Sequence, residues 1–98
     1  MFVALWEFKV KPGFEIEFER VYGSDGDWAQ LFRKEAAYRG TRFAKDLDRD
    51  GWYFTIDTWE SRAAYEAFRN ANREAYAELD RRCERLTGEE NKIGTIES

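Results

Sequence analysis

The 98-residue chain contains no histidine. The one side chain that titrates near neutrality unaided is therefore missing, and no strong base stands out. Its single cysteine, Cys83, excludes an internal disulfide and fits a reducing compartment. Basic charge is also short: 16 Lys and Arg are interleaved with 20 Asp and Glu, for a formal charge of −4 at pH 7. No basic face emerges that would neutralise phosphates, so nucleic acid is not an expected partner. No apolar run is long enough to span a bilayer, and Met1 to Phe8 is too short and lacks the basic start of a secretory leader. The expectation is a cytoplasmic protein with no membrane partner.

Aromatic residues are what the chain has in abundance, 17% of the total within an apolar fraction of 43%. A chain of this length makes one domain, residues 1–98, with a modest core. Such heavy aromatic loading points to further burial against a partner subunit or a ligand. Phe2 to Val10 is β-rich and ends at the turn signal Pro12-Gly13. Phe14, Phe18, Val21 and Tyr22 form one helical stripe. Gly23 to Asp27 then interrupts the helix, with Asp25 or Asp27 as candidate caps for a second segment carrying Trp28, Leu31 and Phe32. The two glycines there fit no phosphate-binding pattern, and the flanking aspartates would repel an anion.

Tyr38 to Ser61 reads as a β-hairpin running into a helix cap, with Asp50-Gly51 as a two-residue turn and Trp52 to Ile56 as a strand. Ser61 to Leu86 then carries apolar residues every three or four positions, and Asn70-Ala71-Asn72 predicts a bend midway. Thr87-Gly88 is the expected helix end, followed by a short strand over Ile93 to Ile96. The order is β, broken α, β, β, long α, β. That is an α+β, ferredoxin-like βαββαβ arrangement with a four-stranded antiparallel sheet. Both helices then lie on one face of the sheet, and the other face, too apolar for water, predicts a homodimer.

Two short motifs lie in the hairpin. Asp46, Asp48, Asp50, Gly51 and Asp57 match the letter spacing of a calcium loop. That loop needs a helix on each side, whereas these flanks are strand-like, so a structural turn and no metal is the favoured reading. Arg39 to Ala44 has the outline of an RNA-binding strand motif, but it sits on the second strand of an acidic chain.

The third stretch, Trp59 to Phe68, joins a strand ending in Trp-Glu-Ser to a helix bearing Tyr65 and Phe68. With the Pro-Gly after strand one and the aromatic third strand, it resembles the antibiotic biosynthesis monooxygenase family over essentially the whole chain. The resemblance implies a dimeric α+β barrel. It also implies either an oxygenase of aromatic polyketide phenols that uses no metal or flavin, or a haem-degrading enzyme. Trp59 matches a tryptophan that lines the pocket in both groups, and Tyr65 a tyrosine that faces substrate in the polyketide oxygenases. Thr55 stands where those enzymes carry an asparagine that binds substrate oxygens. The haem-degrading enzymes need a histidine and a strand-one asparagine, and this chain has no histidine and Trp6-Glu7 instead.

The expected site follows from these matches and from the aromatic residues around them. Trp59, Tyr65 and Arg73 form the catalytic group, Arg73 holding an oxyanion beside Asn70. Trp6, Trp28, Phe32, Phe54, Thr55, Phe68, Asn72 and Tyr76 bind a flat aromatic phenol or quinol. No cofactor is expected. The alternative is a non-catalytic small-molecule-binding or accessory dimer of the same fold, in which the aromatic residues are packing.

Overall fold

A computed structural model describes all 98 residues. The elements are β1 (Phe2–Val10), α1 (Glu15–Tyr22), α2 (Asp27–Phe32), β2 (Tyr38–Lys45), β3 (Trp52–Trp59), α3 (Arg62–Ala71), α4 (Arg73–Cys83), a single 3₁₀ turn (Glu84–Leu86) and β4 (Thr87–Glu97). The strands form one antiparallel sheet in the order β2-β3-β1-β4. This is the ferredoxin-like α+β arrangement that the order of elements predicts.

Strand alternation decides what faces the helices. Phe2, Ala4, Phe8 and Val10 of β1 and Tyr53, Thr55, Asp57 and Trp59 of β3 are all buried on that side. Phe18 and Tyr22 of α1, Trp28 and Phe32 of α2, and Tyr65 and Phe68 of α3 pack onto them. Val3 and Leu5 of β1 and Phe54 and Ile56 of β3 occupy the opposite face and are only half-buried.

The helices are positioned by local chemistry. α1 and α2 meet at Gly26, where a Cβ would lie 2.3 Å from the Val21 carbonyl oxygen, so only glycine allows the joint. Neither aspartate caps α2. Its N-cap is Gly26 with no side-chain bond, and Asp25 instead pairs with Arg33 at 2.7 Å. Ser61 caps α3, its Oγ accepting the Ala64 N–H at 3.1 Å. Asn72 ends α3 with φ −120° and its Nδ2 donates to the Phe68 carbonyl at 3.0 Å, which produces the bend expected there.

Two local readings are corrected. The β2–β3 connection is not a two-residue turn but Asp46 to Gly51, closed by Asp46 N–H donating to the Trp52 carbonyl at 2.9 Å. Gly51 still supplies the left-handed residue, φ +80°. Asp46 organises the turn by accepting from the Asp48 N–H and from Arg49 Nε at 2.8 Å. Thr87-Gly88 does not end the helix. The chain passes through the 3₁₀ turn, buries Leu86 and enters β4 at once, and β4 pairs along all of β1 from Val10↔Thr87 to Phe2↔Glu97. Its first half, Gly-Glu-Glu-Asn-Lys, lacks strand-like residues because an edge strand is kept polar against further pairing.

Candidate active site

Between the sheet and the bend of the long helix lies a cavity of about 150 Å³. Its aromatic walls are Trp6 and Phe8 from β1, Tyr22 from α1, Trp28 and Phe32 from α2, and Tyr76 from α4. Its polar groups are Thr41, Thr55, Asp57, Arg69, Asp80 and Glu90. Trp28 and Tyr76 meet edge to face with centroids 4.9 Å apart, which fixes two of the rings.

Asp57 is the unusual member. It is a carboxylate only 8% exposed, on the inward face of β3. Directly opposite on β2, Thr41 donates its hydroxyl to Asp57 Oδ1 at 2.7 Å. Tyr38 OH bonds Thr41 Oγ1 in turn. With the threonine proton committed to an ionised Asp57, the phenol must donate, giving a relay Tyr38 to Thr41 to Asp57. No other hydrogen bond reaches the Asp57 side chain, so Oδ2 is free. Burial pushes its pKa up from 3.8 to about 6, and the Thr41 bond partly opposes that. A carboxylate tuned this way is ionised at neutral pH and still basic enough to accept a proton.

The other titratable groups set the field. Arg69 is the only cation in the wall. Its guanidinium lies 4.3 Å from the Tyr76 ring and donates to Tyr65 OH at 3.4 Å. Burial raises the Tyr76 hydroxyl well above the usual phenol range, so it stays protonated as a donor. Burial, with Asp80 and Glu84 nearby, also raises Glu90.

Five of the expected binding residues, Trp6, Trp28, Phe32, Thr55 and Tyr76, come together in this cavity. The others lie elsewhere. Trp59 and Phe68 are sealed in an aromatic cluster beside the cavity, with ring centroids 5.1 Å apart. Tyr65 and Arg73 line a separate open groove of about 650 Å³ with Asn70. Asn72 lines neither space and is spent on the helix joint. Phe54 projects from the opposite face of the sheet, where Arg49 lies 6.0 Å from its ring. It cannot reach the cavity, because residues one apart on a strand point to opposite sides. Asp57, which in the calcium-loop spacing closes the loop, is far from the turn that holds Asp46.

Sequence reasoning missed Asp57 as a base, along with Thr41 and Arg69. The signal was present for Asp57: once Trp59 is placed inward, period-two alternation puts Asp57, Thr55 and Tyr53 inward with it. Arg69 follows Tyr65 by one helical turn, so it shares that residue's face.

Comparison with known proteins agrees with this architecture. A family model described as antibiotic biosynthesis monooxygenase matches residues 1–79. No curated protein sequence matches the chain. Among solved structures, the chain is similar to a mutant form of SnoaB, a cofactor-independent oxygenase from Streptomyces nogalater, with a TM-score of 0.79 at 16% identity, over 99% of this chain and 91% of that one. It is also similar to PA3566 from Pseudomonas aeruginosa, with a TM-score of 0.69 at 19% identity, over 99% and 92% of the two chains. At such identities these likenesses concern the fold. The chain belongs to the antibiotic biosynthesis monooxygenase family.

Proposed function

We propose that this protein is a cofactor-independent monooxygenase of a phenolic aromatic compound, with Asp57 as its base. The observation that carries the reading is the free Oδ2 of a buried carboxylate in an aromatic cavity, supported by the Thr41 bond. A cavity of about 150 Å³ holds one aromatic ring. The remainder of a larger substrate extends through the opening.

The chemistry balances without another electron source. Ionised Asp57 takes the phenol proton and becomes a carboxylic acid. The phenolate, facing Arg69, passes one electron to dioxygen, and the resulting radical and superoxide couple at a conjugated ring C–H to form a C–O bond. Asp57 returns its proton to the peroxide. It then accepts the proton of that same carbon as the O–O bond breaks and hydroxide leaves. Proton and hydroxide depart as water, so substrate and dioxygen give a quinone and water. The enclosing rings exclude bulk water, and Arg69 stabilises the charge that develops. Thr55 supplies one hydroxyl to a substrate oxygen.

The same reading makes the working unit a homodimer packed through the open face of the sheet. Val3, Leu5, Phe54 and Ile56 share that face, and Ile96, opposite Val3, is 52% exposed on it. Ile56→Lys is expected to convert a sedimenting dimer into a monomer; a monomeric wild type at micromolar concentration would remove this part.

The test of the activity is oxygen consumption by the purified, metal-free protein with anthrone and substituted quinols. Stoichiometric uptake that falls at least ~100-fold in Asp57→Asn is the expected result, the usual scale for a lost general base. Tryptophan fluorescence quenched by flat phenols without any oxygen uptake would instead establish a binding protein.

A further inference from the structure

The groove that holds Arg73 meets the cavity at a shared wall, because Arg69, Tyr76 and Asp80 border both spaces. Its charge runs against that of the chain. Four cations, Arg62, Arg69, Arg73 and Lys92, converge there against two carboxylates, Glu66 and Asp80, in a protein of net charge −4. One of those carboxylates is already engaged, Glu66 lying 3.8 Å from Arg62. Arg62 is further fixed by donating to Thr95 at 3.0 Å. The remaining three cations make no ion pair, although Asp80 lies near enough to Arg69 to favour its charge. Arg69 bonds only the Tyr65 hydroxyl, Arg73 only the Asn70 amide oxygen at 3.3 Å, and Lys92 makes no ion pair. Lys92 stands directly across the strand pair from Trp6, so the groove's edge and the cavity's wall are register neighbours.

We propose that this groove is the subsite for an anionic side chain of the aromatic substrate, its carboxylate held by Arg73 and Lys92 while the ring enters the cavity past Arg69 and Tyr76. The inference rests on the cavity being a ring-binding site, and it narrows the substrate class to phenolic compounds that carry a carboxylate on a side chain. Two features favour it over a general surface charge. The cations converge on one concavity from α3, α4 and β4, and the concavity opens onto the only cationic wall of the ring site. An arginine and a lysine give a carboxylate both a planar fork and a point charge.

The experiment compares dihydroxyphenylpropanoate with its methyl ester, which share the ring and differ in the charge. Binding is read anaerobically by tryptophan fluorescence, so turnover plays no part. At low salt the acid is expected to bind roughly tenfold or more tightly than the ester, the scale of a charged hydrogen-bond pair. The acid's advantage is expected to shrink at 0.5 M salt (about a 4 Å screening length) and to fall to about twofold or less in R73Q/K92Q. Equal binding of acid and ester, binding of neither, or an advantage that persists in that double variant would overturn the subsite. Oxygen uptake measured separately distinguishes the two proposals. An acid preference without uptake keeps the subsite and rejects the oxygenase, and uptake without preference does the reverse.

Discussion

Trp59 and Asp57 lie two residues apart on the same face of β3, yet one is sealed and the other looks into open space. Trp59 is met on several sides by rings, with centroid distances of 5.4 Å to Phe32, 5.2 Å to Tyr38, 5.4 Å to Tyr65 and 5.1 Å to Phe68. Its indole N–H is buried without a partner, a penalty of about 1–3 kcal/mol that the packing outweighs. Asp57 is also buried, at 8% exposure, but has one hydrogen bond and a cavity. The difference arises in the long helix. The α3 segment before the bend sets Tyr65 and Phe68 against Trp59, whereas the residues flanking the bend, Arg69 and Tyr76, leave room in front of Asp57. A rigid aromatic block thus anchors the end of the strand that carries the cavity's carboxylate.

The comparison is tested hardest at the sealed end. Trp59→Ala should lose about 3–5 kcal/mol of stability in chemical denaturation, as expected for a large core ring. Trp59→Phe, which keeps a ring there, should leave turnover within about tenfold. A stable Trp59→Ala protein with no turnover would put the indole inside the site and erase the contrast.

At the open end the expected effect on stability has the opposite sign. Asp57 has a folded pKa of about 6 against an ordinary 3.8. Folding therefore favours its protonated form. Stability is highest below about pH 4, falls as pH rises through about 6, and is level above that, by roughly 3 kcal/mol in all. Asp57→Asn cannot ionise, so at pH 8 it should be more stable than wild type by roughly 1–3 kcal/mol while losing its turnover. Melting curves at pH 5 and pH 8 check this: the wild type should lose stability between them through this group, and the variant should not. A variant that is less stable at pH 8 would mean that Asp57 is structural.

The contrast also explains what could be read beforehand. The sheet and the broken helices follow from periodicity and turn chemistry, which act over a few residues, and the inward position of Trp59 from the family resemblance. Four of the cavity-lining residues, Trp6, Trp28, Phe32 and Tyr76, were legible because an aromatic on an inward stripe has few other places to go, and Thr55 was legible only through the family resemblance. Phe54 was misplaced because composition alone cannot say which face a strand residue takes, although alternation from Trp59 can. Asp57 was read only through the spacing of its neighbours in the turn, a local pattern that hid its position on a buried face. Arg69 and Arg73 are both one turn or less from the bend. Which of them enters the cavity depends on the bend's direction, and that is fixed by tertiary packing at Asn72.

Thr41 gives the finest probe, because it touches the carboxylate without lining the sealed cluster. Its hydroxyl donates to Asp57 Oδ1 and so favours the ionised form. Thr41→Val removes that bond at nearly constant volume and leaves Tyr38 OH without its acceptor. The Asp57 pKa should then rise further above about 6, moving the rising limb of the rate profile to higher pH. At pH 6 the variant should run about 5- to 10-fold slower than wild type, and at pH 8 within about twofold, because there the carboxyl is largely ionised in both proteins. The stability change carries the same signature. It should be smaller at pH 4, where Asp57 is protonated in the folded protein and the bond to an ionised carboxylate is absent, than at pH 8, where it should be about 1–2 kcal/mol unfavourable. A rate loss independent of pH would mean that Thr41 holds the substrate directly, and the relay through Asp57 would have to be given up.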